Sequence, residues 1–283
     1  MSYTVVDRMS PCDPRDRENA AALWREIFGD SEAFTDWFFQ ERFYPEYSCA
    51  AIHEGRMVAM TLGRPTEILV EGKVHKALLI SGVSTRPEYR KRGLMNLVMN
   101  LQIHYARKSG FSCCYLYPDI ETLYASLGFR NGTDAIVIRS DETRKTKPFS
   151  IRIGAEIPAM RVVYDAICKT HDGMQLRNEA EFSAVLRDYA CDGGTSAVAY
   201  DGETPVGYIC TLADGTVSEL FALCQDAYAF LLDRTASCFG RPLEATAPSD
   251  CGLVGKRVYG MHYLVFNDAF SLPLKNGFCR PPY

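Results

Sequence analysis

The sequence lacks the features that define several large classes of protein. None of its apolar runs approaches the ~18 residues needed to cross a bilayer, and residues 1–20, MSYTVVDRMSPCDPRDRENA, contain no apolar export core. A cytoplasmic protein with no membrane partner is therefore expected. The eleven cysteines are an odd number without a Cys-x-x-Cys pair, and the five histidines are scattered. No zinc spacing results, so no metal site is predicted, and packed free thiols in a reducing compartment are expected. No excess of positive charge exists either. With 31 Lys and Arg against 35 Asp and Glu, the net charge of -4 gives no reason to expect nucleic acid, and it suits cationic small molecules or peptides. A phosphate loop ending in Gly-Lys-Ser/Thr and the dinucleotide Gly-x-Gly-x-x-Gly are both missing, which disfavours ATP and NAD.

What is present amounts to two domains' worth of ordinary globular sequence. The 283 residues are 47% apolar and 23% charged, enough for two cores and too apolar for extended disorder. The stretch that organises the chain is residues 77–101, ALLISGVSTRPEYRKRGLMNLVMNL. Its apolar start reads as a buried strand with a glycine irregularity at Gly82. Pro87 breaks the strand, and from Leu94 the apolar positions Leu94, Leu97, Val98 and Leu101 recur at helical spacing. Strand, basic glycine turn and helix in that order make an anion site. The first helix amides have no intrahelical partner, that end is electropositive, and Gly93 lets a diphosphate approach the backbone. Arg90, Lys91 and Arg92 add positive charge.

Before this stretch, residues 3–6 read as a strand, 16–28 as an amphipathic helix and 31–43 as a helix rich in Phe and Trp. That aromatic face suits a core or the lining of a cleft. Strands follow at 48–53 and 57–70, with a break expected at Gly63-Arg64-Pro65 and turns at Glu54-Gly55 and Glu71-Gly72, giving an antiparallel meander. The helix from Leu94 ends near Ser109-Gly110. Residues 113–117 form the next strand, joined to the 77–85 strand by a helical crossover and hence parallel to it. A short helix at 121–127 and a strand at 135–138 complete the first half. Residues 140–148, SDETRKTKP, read as a linker, which sets domains at 1–141 and 149–283. Beyond it the pattern recurs: a helix at 179–189, strands at 196–200, 206–212 and 217–224, and a helix at 226–239. An internal duplication is implied. Between the last strand and helix of this copy there is neither arginine nor glycine, so it should not bind the cofactor.

Two motifs carry a family resemblance. Arg90-x-x-Gly93-x-Met95 resembles the Arg/Gln-x-x-Gly-x-Gly/Ala turn of the GNAT superfamily of N-acetyltransferases, with Met95 in place of the usual small residue. About 30 residues on, Leu123-Tyr124-Ala125-Ser126-Leu127-Gly128-Phe129 is similar to the same superfamily's aromatic-Tyr-x-x-x-Gly-Phe segment. Gly82-Val83-Ser84-Thr85-Arg86-Pro87 and the following Arg90 to Leu94, together with a second domain, resemble the Eis-like acetyltransferases without their sterol-carrier-like domain. The resemblance implies an α/β (α+β) fold of tandem GNAT units, with a mostly antiparallel mixed sheet, a splayed parallel pair at the cofactor site and a degenerate second copy.

It also implies acetyl-CoA as cofactor and a small-molecule or peptide amine as acceptor. Val83, Ser84 and Thr85 would meet the pantetheine arm; Arg90, Lys91, Arg92, Gly93, Leu94, Met95 and Asn96 the pyrophosphate; and Asp119 and Ile120 the cofactor as well. Tyr124 would be the general acid, since a phenol of pKa ~10 is protonated at neutral pH and can supply a thiolate whose acid lies near ~8.5. Residues 77–85 carry no carboxylate, so no base is identified. In Eis-like enzymes the terminal carboxylate serves, and here the chain ends Arg280-Pro281-Pro282-Tyr283. A non-catalytic acyl-CoA sensor and a tandem acyltransferase of thiol-cofactor or aminoacyl type stay open as alternatives. The oligomeric state is not indicated.

Overall fold

A computed structural model describes residues 3–6, 8–10, 13–154 and 156–278. In chain order the elements are β1 (Thr4–Val6), α1 (Pro14–Phe28), α2 (Glu32–Glu41), β2 (Cys49–His53), β3 (Arg56–Val70), β4 (Lys73–Thr85), α3 (Leu94–Lys108), β5 (Cys113–Leu116), α4 (Glu121–Ala125), β6 (Arg130–Asn131) and β7 (Asp134–Arg139). They continue with β8 (Ser150–Ile153), α5 (Ile157–Cys168), α6 (Glu179–Cys191), β9 (Thr195–Asp201), β10 (Thr204–Thr211), β11 (Val217–Ala222), α7 (Gln225–Phe239), β12 (Glu244–Ala247), β13 (Lys256–Tyr259) and β14 (His262–Val265).

The chain divides into two compact units, but not at the expected linker. One unit is Met1–Ile68, Val74–Arg130 and His262–Leu272; the other is Leu69–Lys73, Asn131–Met261 and Pro273–Tyr283. The strand expected to close the first domain is β7, and it pairs instead with β12 and β13 of the second unit. The late strand β14 pairs antiparallel with β5 in the first. The boundary expected at 140–148 was drawn from local composition, which carries no information on which distant strand satisfies a given edge.

In the first unit the strands run β1-β2-β3-β4-β5-β14-β6. The β3–β4 hairpin turns on Glu71 (φ 49) and Gly72 (φ 71), both left-handed as a two-residue turn requires. As expected, β4 and β5 are parallel, with Ala77, Leu78 and Leu79 opposite Cys113, Cys114 and Tyr115. α1 begins on the Asp13 cap and stops at Gly29 in the left-handed conformation. The aromatic face of α2 goes to the core. Phe34, Phe38, Phe39 and Phe43 are buried, and Trp24 of α1 stacks on Phe38 with ring centres 4.7 Å apart.

The break expected at Gly63-Arg64-Pro65 does not occur, and β3 runs through it. Pairing with β2 ends at Thr61, so Pro65 needs no amide for that neighbour. Gly63 serves close approach rather than turning, because a Cβ there would overlap the Tyr47 carbonyl oxygen and the Gln102 amide nitrogen.

The second unit repeats the order of the first. β8, α5, α6, β9, β10, β11, α7 and β12 follow as β1, α1, α2, β2, β3, β4, α3 and β5 do, and its sheet order β11-β10-β9-β8 matches β4-β3-β2-β1. The sequence reading had missed β8 and α5. β11 carries a buried carboxylate, Glu219, which accepts from Arg177 Nη2 at 2.7 Å, Arg177 Nη1 at 3.1 Å and the Tyr208 hydroxyl at 2.9 Å. Tyr208 is itself buried and Arg177 largely so, and this charge is held inside the unit as a structural pin.

Gly63→Ala is expected to lower unfolding stability by about 2–4 kcal/mol, since the overlap includes a main-chain oxygen that has little room to move. Denaturant titration checks this; an unchanged midpoint would contradict the packing at β3.

Candidate active site

The end of β4 is shaped by a glycine that a larger residue could not replace. Gly82 has φ +57, and a Cβ on it would lie 2.7 Å from Trp24 Cζ3 and 3.0 Å from Leu62 Cδ1. The irregularity read at this position is therefore a left-handed residue within β4, with no room for a side chain against α1 and β3. Past it, Arg86 is buried and anchors the strand end. Its amide donates to the Val58 carbonyl at 2.9 Å and its Nε to the Met57 carbonyl at 2.8 Å, while the guanidinium pairs with Glu26 of α1. Burial lowers the Arg86 pKa by penalising its charge. Arg56 also meets Glu26, at 3.1 Å, and Glu88 at 3.3 Å. Among the described residues the sheltered hydroxyls of Ser84 and Thr85 have no hydrogen-bond partner.

A single 3-10 turn, Pro87–Tyr89, leads into the basic loop. Two of its three cations fold back onto the loop. Arg90 Nε donates to the Thr85 carbonyl at 3.1 Å. Arg92 Nη2 donates to the Glu88 carbonyl at 2.8 Å, and the guanidinium lies 5.1 Å from the centre of the Tyr89 ring. Tyr89 is held in turn by His53, Nδ1 to hydroxyl 3.0 Å. These arginines brace the turn, a role that sequence alone did not separate from phosphate binding. Lys91 is exposed with φ +60, and Gly93, φ +76, caps α3 with no side chain. The amides of Leu94, Met95 and Asn96 open the helix, where no carbonyl of the preceding turn is available to them. A Cβ on Gly93 would meet nothing within 4 Å, so this face of the backbone is open to approach.

The third part comes from the segment after β5. Asp119 and Ile120 are exposed, with Ile120 at the N-cap of α4. Tyr124, 9% exposed, belongs to one apolar cluster with Leu78, Ile80, Met99, Leu116 and Phe129, against which Val83 and Met95 also pack. The fold thus brings Val83, Met95 and Tyr124, from three separate elements, into one cluster. Burial, and secondarily the charge of Asp119, pushes the Tyr124 phenol up to about 12. The terminal residues 280–283 lie outside the described residues.

Sequence reasoning missed the α1–α2 corner. Between Arg25 and Asp36 there are four carboxylates. Glu26 pairs with Arg86 and Arg56, while Glu32 and Asp36 pair with Arg25 at 2.9 and 2.8 Å. Asp30 alone takes a neutral donor, Trp24 Nε1 at 2.8 Å, and the Trp24 ring lies against Gly82. The only signal was the Gly29-Asp30 helix stop. Among the described residues no group of three or more His, Cys, Asp or Glu could hold a metal ion, and no helix is long and apolar enough to cross a membrane.

A splayed parallel pair, a bare helix start after a basic turn and a buried tyrosine define a class already known. The acetyltransferase (GNAT) domain model matches residues 8–132. Among solved structures, the chain is similar to a protein from Enterococcus faecalis described as a probable N-acyltransferase, with TM-score 0.73, 16% identity, and 94% of this chain and 72% of that one covered. It is also similar to Eis1 from Mycobacterium abscessus, with TM-score 0.65, 15% identity and coverage of 93% and 73%. A tandem GNAT protein from the clavulanic acid biosynthesis pathway gives TM-score 0.54 and 12% identity, covering 93% of this chain and 98% of that one. No curated protein matches the sequence. Residues 8–132 thus match a GNAT domain model, and the chain has a tandem GNAT fold.

Because the Tyr124 pKa is raised from 10.0 to about 12, the stability this neutral phenol contributes is complete below about pH 10 and is lost as pH rises through about 12. Wild type should lose on the order of 2–3 kcal/mol more than Tyr124→Phe over that window. Denaturant midpoints measured across it test this, and parallel curves would contradict the burial.

Proposed function

We propose that the first unit transfers an acetyl group from acetyl-CoA to a primary amine of a small molecule or peptide, with Tyr124 as general acid. The observation that carries this reading is the convergence of the β4 end, the start of α3 and Tyr124 on a single cluster beside an open helix N-terminus. The residues fit the cofactor's chemistry. Amides from Lys91 to Asn96 suit a pyrophosphate, with Lys91 as the exposed charge and Arg90 and Arg92 keeping the loop in shape. Main chain at Val83 to Thr85, with the unpartnered Ser84 and Thr85 hydroxyls, suits a polar arm. Asp119 and Ile120 would flank it. When bound, acetyl-CoA supplies an electrophilic thioester.

The remaining chemistry falls to the chain's own residues. An amine arrives mostly as an ammonium ion, and Asp30 is the carboxylate at the α1–α2 corner that has no cationic partner among the described residues. It attracts the acceptor. The ammonium first loses a proton to water, and the neutral amine forms the carbon–nitrogen bond as the carbon–sulfur bond breaks. Tyr124, protonated at any physiological pH, gives its hydrogen to the departing sulfur and regains one from the proton that the acylated nitrogen sheds.

Calorimetry with coenzyme A is the first test, and a failure to bind would overturn the cofactor reading. In an acceptor screen that reads free thiol, Tyr124→Phe should lower kcat by about 10²- to 10³-fold, with acetyl-CoA affinity within about twofold. Tight coenzyme A binding with no turnover of any amine would favour a sensor instead. Asp30→Asn should raise the KM for a cationic acceptor about tenfold and leave the KM for acetyl-CoA unchanged. An equal rise in both would remove its role in acceptor binding.

A further inference from the structure

We infer that the second unit has a binding site of its own, a polar cavity that takes a small cationic amine. The cavity measures about 230 Å³ and lies wholly within that unit, between the segment before β7, the end of α5, the loop after β12 and residues 273–278. At about 30 Å³ per water-sized group it has room for roughly eight heavy atoms.

Its wall contains a built polar pair. His171, 7% exposed, lies with Nε2 3.0 Å from Asp250 Oδ1. A carboxylate only accepts, so Nε2 carries the hydrogen. Nδ1, bare in that tautomer, accepts from the Thr170 hydroxyl at 2.9 Å, which fixes the ring from behind. Asp250 is thereby oriented through one oxygen, while its side chain stays 61% exposed and can accept from a ligand through the other. A second carboxylate, Asp134, lines the cavity and is braced by Asn131 Nδ2 at 3.3 Å and by Arg257. Among the described residues no lysine or arginine lines it. Arg257 already neutralises Asp134, so the acceptors left for a ligand are the second oxygen of Asp250 and the buried Asn131 Oδ1, which has no hydrogen-bond partner among the described residues. Such a pair selects a donor-rich cation over phosphate.

The repeat gives the site its logic. The loop after β12 stands in the second unit where the loop carrying Asp119 stands after β5, and His171 follows α5 as Asp30 follows α1. The copy has lost the phosphate turn, since only Leu223 and Cys224 separate β11 from α7. What the second unit has is this polar cavity, without a phosphate turn to hold coenzyme A. This inference does not depend on acetyl transfer by the first unit.

The test uses the full-length chain with ¹⁵N-labelled histidine, the His171 signal being assigned from a His171→Gln sample. Titration with ethanolamine hydrochloride should shift the His171 Nε2 resonance saturably, whereas sodium chloride or sodium acetate should not. Asp250→Asn should weaken that response at least about tenfold. Should that variant not fold, Asn131→Leu, which removes the second acceptor of the lining, should weaken the response by a similar factor. No saturable shift, an equal shift with sodium chloride, or an undiminished response in a folded variant would overturn the proposal.

Discussion

Everything at the candidate site depends on two parallel strands that pair briefly and then part. β4 and β5 are matched only from Ala77/Cys113 to Leu79/Tyr115, and β4 continues for residues 80–85 without β5 beside it. Each strand is held from its outer side. β4 is pinned by Gly82 against Trp24 and Leu62 and by Arg86 on the Met57 carbonyl, while β5 is bonded to β14 as far as Leu116 opposite His262. Main-chain polar groups left without a strand partner are costly unless something else satisfies them. A separation maintained against that cost suits a ligand with its own amides, and an extended polar arm is such a ligand.

The two units show how one succession of elements yields an open helix start behind a basic turn in one copy and none in the other. Between β4 and α3 the chain spends residues 86–93 on an arginine-braced loop that ends in a left-handed glycine. Between β11 and α7 it spends two, and the helix begins on Cys224 without a glycine or a cation. The carboxylate that β4 lacks is found on β11 as Glu219, but Arg177 and Tyr208 enclose it. A buried, fully partnered charge stabilises a core and does no proton transfer. The difference is thus one of local chain length and pairing on a shared topology.

Most of the first unit was legible in the sequence because its signals are local. Gly82, the helical spacing from Leu94 and the parallel crossover to residues 113–116 each follow from periodicity and a few punctuating residues, and the tandem fold followed from the resemblance. What failed was long-range. Nothing in residues 134–139 reveals that their partners are β12 and β13, more than a hundred positions on, and nothing in His262–Val265 points back to β5. Pro65 was read as a breaker because the sequence does not show that β2 ends its pairing at Thr61. The site divides in the same way. Arg90, Arg92 and Gly93 were visible as a basic turn, but whether an arginine reaches a phosphate or its own backbone is decided by Thr85, Glu88 and Tyr89, which had to be seen in space.

For the proposed acid the burial of Tyr124 has two opposing effects. A phenol pushed up to about 12 is fully protonated at neutral pH, which the role requires, yet it is a weaker acid than a free tyrosine. Against a thiolate whose acid lies near ~8.5, the transfer would run uphill by about 5 kcal/mol if the sulfur kept its aqueous basicity. It does not keep it in this setting. The apolar cluster that raises the phenol, formed by Leu78, Ile80, Met99 and Phe129, also withholds water from an anion formed beside it. Desolvation makes a thiolate more basic as it makes a phenol less acidic, so the two move in the same direction and the gap between them narrows. On the proposed reading the proton would pass as the carbon–sulfur bond breaks rather than beforehand, and an acid too weak to ionise by itself suits that timing.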